Sequence, residues 1–548
     1  MDSILKKVQY PRDLKRLSRD QLKNLAAEIR DLIINTVSSN GGHLASSLGT
    51  IEIAIALHYS LDTPKDKIIW DVGHQAYAHM ILTGRGRDFP TLRTTGGLPG
   101  FLKPHLSEYD VFGAGHASTS IAAALGIARA RDLKGEDFNV VSIIGDGSMT
   151  CGLVYEALDV AGTLGTSFMI ILNDNEMSIS RNVGAVSQMF NRIITDDWYN
   201  HTKGRLEDLV NRFRLGERRI GEQMVRFSHR VEESIKGLIV PGLFFEELGF
   251  RYIGPINGND LDTLIPAIQK TAAFKGPRIL HVVTKKGKGY RFAEENPEQF
   301  HSAPPFHIET GKKKKSSGLS FTSAFGKAIV ELAEKDERVI AITAAMPSGT
   351  GLTQFAERFP DRFYDFGIAE GAAVITAAGM AMEGFRPVVA IYSTFLQRSF
   401  DMIIHDVALQ GLPVIFALDR AGIVGQDGPT HHGTFDLSYL RMIPEMIIMA
   451  PRSEQELRRC LATALVWNKG PVAIRYPRGG SDIKDLDLTS IPEPFAVPSG
   501  QWLRRGRDAA IIGVGTMSNH ALAAAEILEK QGISISVADT RFVKPLDE

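Results

Sequence analysis

Two short apolar runs, 139–144 and 168–172, flank a stretch from 149 to 162 whose apolar residues recur at helical spacing. This pattern predicts a strand, a crossover helix and a second strand. A βαβ unit of this kind commits the chain to a parallel sheet with its functional loops at the carboxyl ends of the strands. A helix is expected over 18–37, where Leu22, Leu25, Ala26, Ile29, Leu32 and Ile33 follow a capping serine, Ser18. The pattern fades between 198 and 239, which reads as a peripheral helical insertion.

Alternation resumes after GKKKKSSGLS (311–320), with strands expected at 339–343, 387–391 and 413–418. The four lysines read as a solvated linker rather than an anion site. A proline-bearing passage, 492–498, precedes a third start, with a strand at 509–514, a helix at 518–530 and a strand at 533–538. Two strands and one helix cannot cover both faces of a parallel sheet, so a truncated third domain is expected. The fold class read from these patterns is α/β, with successive doubly wound parallel-sheet domains at 1–315, 316–495 and 496–548. No sequence repeat is visible, but two successive α/β domains of similar size invite a duplicated architecture.

Composition narrows the function. With 62 basic and 63 acidic residues the net charge is −1, which gives no long-range attraction for nucleic acid or an anionic membrane, so neither is expected as a partner. An anionic substrate has to be gripped by a few placed charges. Cys151 and Cys460 show no metal-ligand spacing and are too few for a disulfide framework. The charged N-terminus lacks a signal-peptide core, and the stretch 371–382 falls short of the ~20 apolar residues of a membrane-spanning helix. A soluble, cytoplasmic protein is the expectation.

The chemistry-bearing residues lie at strand ends. Gly145-Asp146-Gly147 closes the strand before the crossover and Asn173-Asp174-Asn175 the strand after it. One crossover returns the chain to a neighbouring strand end, which sets Asp146 beside Asn175. Such hard oxygens suit Mg²⁺, which binds through one or two protein oxygens together with phosphate. The flanking glycines let a diphosphate approach the backbone. Taken alone, Gly-Asp-Gly is a common turn, a lone histidine is more often a satisfied core residue, and an arginine is more often half of a surface ion pair. Gly113-Ala-Gly115 and Gly513-Val-Gly515 do not complete the dinucleotide-binding GxGxxG, so a nicotinamide enzyme carries little weight.

The segments GGHLASSLGTIE (41–52), WDVGHQAYAHMILTGR (70–85), FGAGHASTSIAAALG (112–126), GDGSMTCG (145–152), NDNEMSIS (173–180), TKKGKGY (284–290), IYSTFLQRSFD (391–401), DRAGIVGQDGPTHHGTFDLSYLR (419–441) and IRYPRGG (474–480) occur in order along nearly the whole chain. Together they resemble the 1-deoxy-D-xylulose-5-phosphate synthase family. The resemblance implies domains of the thiamine-diphosphate-binding, transketolase-like type, a homodimer, and thiamine diphosphate with Mg²⁺ as cofactors. It implies a decarboxylative condensation of pyruvate with D-glyceraldehyde 3-phosphate to 1-deoxy-D-xylulose 5-phosphate and CO₂. That reaction opens the non-mevalonate isoprenoid route and supplies precursors for thiamine and pyridoxal. A transketolase and an inactive relative are the alternatives, and the loop 419–441 argues against the first.

Residue by residue, the resemblance assigns Mg²⁺ to Asp146, Asn175 and the Met177 carbonyl. It assigns thiamine diphosphate to His74, Gly115, His116, Ala117, Gly147, Ser148, Asn175 and Tyr290, and the cofactor's aminopyrimidine to the catalytic Glu370. His43, His301 and His431 would transfer protons, with Asp427 holding a substrate hydroxyl or orienting His431. Tyr392, Arg420 and Arg478 would bind the acceptor phosphate, a task suited to the planar guanidinium. The chain departs from the family pattern at Ala117, where Ser is usual, and at Gly371-Ala372, where many relatives have Gln-His.

Overall fold

The computed structural model describes residues 3–175, 241–314, 318–483, 486–490 and 493–548. Met177 and the expected insertion over 198–239 lie outside the described residues. The chain divides into two compact units, 1–313 and 314–548, and the division falls inside the lysine run.

In the first unit five strands form one parallel sheet: β1 (Lys67–Trp70), β2 (Val140–Gly145), β3 (Met169–Asp174), β4 (Arg251–Asn257) and β5 (Arg278–Val283), in the order β1-β2-β3-β5-β4. The near-continuous apolar run of β2 and β3 is the signature of a strand covered on both faces, and every residue of β3 is buried. Register pairs Gly145 with Asn173, so both functional strand ends finish level.

The expected N-terminal helix spans Arg19–Asn40. Gln21 N donates to Ser18 Oγ at 3.3 Å and Ser18 N to Gln21 Oε1 at 2.9 Å, a capping box. Losing such a cap costs about 1 kcal/mol. Leu22, Leu25, Ile29 and Ile33 point from this helix into the core of the unit. The crossover helix begins later than the periodicity predicts. Gly147–Thr150 is a 3-10 turn, Cys151 is extended, and the α-helix runs Gly152–Leu164. The turn takes up the four residues from Gly147, which the apolar spacing of Met149 does not reveal.

The second unit carries β6 (Val339–Thr343), β7 (Phe363–Asp365), β8 (Arg386–Tyr392), β9 (Ile415–Asp419), β10 (Ile447–Met449), β11 (Val472–Arg475), β12 (Gln501–Arg504), β13 (Ala509–Gly513), β14 (Ile535–Asp539) and β15 (Phe542–Lys544). Its main sheet runs β7-β6-β8-β9-β11-β10-β15, parallel except for β15. Without the two edge strands β7 and β15, the order β6-β8-β9-β11-β10 repeats that of the first unit strand for strand. The duplication is present in topology though absent from the sequence.

Two strands go beyond the sequence expectation for the C-terminal stretch. β12 pairs antiparallel with β14 in a small β12-β14-β13 sheet, and β15 leaves that sheet to pair antiparallel with β10. Both are too short, at four and three residues, to show a period. Among the described residues no helix is long and apolar enough to cross a membrane.

Candidate active site

At the carboxyl ends of β2 and β3 the first unit gathers a buried polar cluster. Asp146 is 3 % exposed and shares a hydrogen bond with Asp174, which is fully buried. Burial and the Asp174 carboxylate push the Asp146 pKa well above the usual carboxylate range, against the opposing pull of the Lys286 ammonium and the Gly147 N–H. The two asparagines of the strand end differ. Asn173 Oδ1 accepts from Thr284 Oγ1 at 2.6 Å. Asn175 Oδ1 is buried with no hydrogen-bond partner among the described residues. A buried amide oxygen left bare is costly unless something electropositive meets it. Carboxylate repulsion and the bare oxygen both fit a hard divalent cation held by Asp146 and Asn175.

Three histidines from separate segments lie close by one another. Ring centroids of His43, His74 and His301 are 5.7, 5.0 and 5.8 Å apart pairwise, and Phe101 lies 5.4 Å from His43. Burial, with Lys286 and the other two imidazoles, holds the His301 pKa well below its ordinary value, so this ring is neutral at pH 7. His116 and Ala117 are half-buried on the loop before the helix Ser120–Lys134, and Gly115 adopts a φ of 150°. Gly147 and Ser148 are buried in the 3-10 turn. Tyr290 donates its hydroxyl to Ile308 O at 2.8 Å and packs among Phe292, Phe300 and Phe306, so in this structure its visible contacts are those of a packing residue.

In the second unit the ends of β8 and β9 carry a cluster built on two arginines, each paired with an aspartate. The Arg420 guanidinium lies 4.0 Å from the Tyr392 ring centroid, donates to Gly349 O at 2.8 Å, and pairs with the buried Asp419 at 2.9 Å. A side chain at Gly349 would collide with the Tyr392 hydroxyl, so this close approach requires glycine. Arg478 pairs with Asp427 at 3.2 Å, and both lie near enough to Tyr392 to influence its hydroxyl. His431 meets Phe395 edge-on at 5.5 Å, and Phe395 stacks on Tyr392. The expected phosphate group, Tyr392, Arg420 and Arg478, is thus brought together, with Asp427 and His431 beside it.

Glu370 opens the helix Glu370–Met382 and is 4 % exposed. Burial raises its carboxyl pKa, partly offset by Arg398 at 3.8 Å. A Cβ at Gly371 would come within 3.2 Å of the Met402 methyl, so the departure at this position accompanies tight packing behind the glutamate.

Two participants are not legible in the sequence. Lys286 is one of three lysines in TKKGKGY, and only burial separates it. Its neighbour Lys285 has a side chain 63 % exposed, whereas Lys286 is 6 % exposed with a pKa lowered to about 8 by burial, against the pull of Asp146 and Glu298. The second is the chain behind Asp174. The Tyr252 hydroxyl and His281 Nδ1 share a hydrogen bond at 2.6 Å, and His281 Nε2 and Asp174 Oδ2 share one at 3.1 Å. Tyr252 and His281 come from β4 and β5, and no local spacing ties them to the Asn-Asp-Asn strand end.

The family model described as 1-deoxy-D-xylulose-5-phosphate synthase matches residues 5–284. The chain belongs to the 1-deoxy-D-xylulose-5-phosphate synthase family. Models described as the transketolase pyrimidine binding domain and the transketolase C-terminal domain match residues 317–481 and 499–548. A 1-deoxy-D-xylulose-5-phosphate synthase of Carboxydothermus hydrogenoformans is 56% identical over 547 residues, covering 100% of this chain and 87% of its own length. Proteins of the same name from Desulforudis audaxviator and Syntrophotalea carbinolica are each 52% identical, and the match covers 85% of each.

Proposed function

We infer that this chain is a thiamine-diphosphate-dependent transferase that condenses pyruvate with D-glyceraldehyde 3-phosphate, releasing CO₂ and forming 1-deoxy-D-xylulose 5-phosphate. One observation carries the reading. A buried carboxylate and a bare buried amide oxygen follow the neighbouring strands β2 and β3 of a chain that matches a synthase of this name along its whole length. When bound, thiamine diphosphate supplies a carbon nucleophile for the keto carbon and a sink for the electron pair left as CO₂ departs.

The chain's own residues do the rest. Asp146 and Asn175, with the Met177 carbonyl, hold Mg²⁺, and the Lys286 ammonium adds positive charge beside Asp146. His74, the loop Gly115-His116-Ala117, Gly147, Ser148 and Tyr290 bind the cofactor. Glu370, buried at the start of its helix, hydrogen-bonds the aminopyrimidine N1′ and shares a proton there. His301, neutral at pH 7, lies with His43 and His74 beside the substrate, and His43, His301 and His431 serve the proton transfers at the substrate oxygens. Arg420 and Arg478 fix the acceptor phosphate and Tyr392 flanks it. Asp427, paired with Arg478, orients that guanidinium and faces the acceptor hydroxyls. A homodimer follows from the family resemblance.

The test is CO₂ release from pyruvate with and without thiamine diphosphate, Mg²⁺ and glyceraldehyde 3-phosphate. Release that needs both cofactors and rises when the aldehyde is added is expected. A transketolase would release none.

A further inference from the structure

The three loops assigned to the cofactor, 71–75, 115–118 and 147–148, converge on one buried carboxylate that belongs to none of the assigned sites. Asp71 follows β1 directly and is 1 % exposed. Its Oδ1 accepts the Ser118 N–H at 2.8 Å and its Oδ2 the Ser120 N–H at 3.2 Å. The hydroxyls of Ser148 and Ser120 also donate to it. Its backbone carbonyl accepts Gln75 Nε2 at 2.7 Å and the Gly73 N–H at 2.6 Å, and its own N–H donates to Ile143 O of β2 at 2.8 Å. One side chain therefore touches the Gly115-to-Ser118 loop and the Gly147-Ser148 turn, while its backbone fixes the segment leading to His74.

The backbone around it is held in costly conformations. Val72 has φ 59° and Ser118 φ 73°, and a β-branched residue at positive φ is a genuine outlier. Such conformations persist only where surrounding contacts impose them, and they cluster at functional sites. Gly73, at φ 81°, allows the first loop to lie against the second, because a Cβ there would stand 2.5 Å from the Ala114 Cβ. The loops are tied to each other as well. Ser118 Oγ donates to Ser148 O, and Ser142 Oγ to Ser120 Oγ, both at 2.9 Å.

We propose that Asp71 is a positioning residue for cofactor binding, an anchor that presets the diphosphate-binding loops around His74, Gly115–Ala117 and Gly147–Ser148. It does not itself touch the cofactor. It orders three loops in advance, so that binding does not bear the entropy of arranging them. Asp71→Asn keeps the shape and one acceptor oxygen, but turns an NH₂ toward a backbone N–H or hydroxyl that needs an acceptor. The proposal rests on the thiamine diphosphate reading above.

Calorimetric titration of thiamine diphosphate into the full chain at saturating Mg²⁺ tests it. Asp71→Asn is expected to weaken binding by about 10–100-fold, as outer-shell partners of binding groups do, with the KM for pyruvate unchanged at saturating cofactor. Leu25→Ala, which opens a cavity under the Arg19–Asn40 helix, lowers the melting temperature and leaves the affinity at the wild-type value. A folded Asp71→Asn chain that binds as tightly as wild type overturns the proposal, as does an equal loss of affinity in Leu25→Ala. If Asp71→Asn does not fold, Ser120→Ala decides. Loss of one hydroxyl bond to the carboxylate is expected to weaken binding by about 2–10-fold, and unchanged affinity refutes the role. A wild-type chain that takes up no thiamine diphosphate overturns both this and the cofactor reading.

Discussion

The two units share one strand order and use the same strand ends for opposite charges. β2 and β3 are followed by Asp146 and Asn175, oxygens suited to a cation, while β8 ends in Tyr392 and β9 is followed by Arg420, a guanidinium suited to an anion. Each places a fully buried aspartate at the end of its third strand in chain order within the shared set, Asp174 in one and Asp419 in the other. Asp174 is met by His281 and Asp146, whereas Asp419 is met by Arg420 and the Thr322 hydroxyl. The difference shows that a parallel α/β sheet fixes where a ligand binds and leaves its charge to the few residues that follow each strand.

Variants of each unit should therefore fail in different ways. The largest effect is expected in the second unit, where Glu370→Ala lowers turnover by about 10²–10⁴-fold, the range of a lost general acid or base. Mg²⁺-thiamine diphosphate binding, measured by calorimetry, is largely kept. Near-normal turnover would remove Glu370 from the chemistry.

In the first unit, Asn175→Ala is expected to weaken Mg²⁺ binding by at least the ~10–100-fold that outer-shell losses produce. Asn173→Ala, whose oxygen already serves Thr284, should affect Mg²⁺ far less. Equal losses in a Mg²⁺ titration would break the distinction between the two asparagines. Arg420→Ala should raise the KM for glyceraldehyde 3-phosphate by about 10–100-fold, matching a hydrogen bond to a charged group of roughly 1.5–3 kcal/mol. The KM for pyruvate should stay put, and a parallel rise in both would contradict a phosphate-specific role.

The smallest effect is in stability and belongs to the first unit alone. His58 and His79 are fully buried and stacked, and burial holds both pKa values below the usual imidazole value, His58 well below it. At these two sites the unfolded chain therefore binds more protons than the folded one as pH falls below about 6.5, and their contribution to stability falls with it. The melting temperature of the chain should drop between pH 7 and pH 5, and His58→Gln should flatten that slope. An unchanged slope would place the pH sensitivity elsewhere.

What the sequence disclosed followed the range over which residues act. The strands β2, β3, β6, β8, β9, β13 and β14 were legible because a covered strand is a continuous apolar run bounded by turn residues. Ser18 was legible as a cap because its partner is three residues away. Gly-Asp-Gly and Asn-Asp-Asn were legible because one crossover joins them. Asp71 was not, since its partners lie 47 and 49 positions along the chain. Neither was Lys286, because burial within TKKGKGY is a tertiary property. β12 and β15 were hidden by shortness, and the repeated strand order by the divergence of the two halves.

The most direct test of the chain's activity is to follow [2-¹³C]pyruvate by NMR with the wild-type chain, thiamine diphosphate, Mg²⁺ and D-glyceraldehyde 3-phosphate. The expected result is a labelled ketone carbon in 1-deoxy-D-xylulose 5-phosphate, formed in step with CO₂ and lost when the aldehyde is omitted. Pyruvate left intact, or CO₂ released with no labelled five-carbon phosphate, would contradict it.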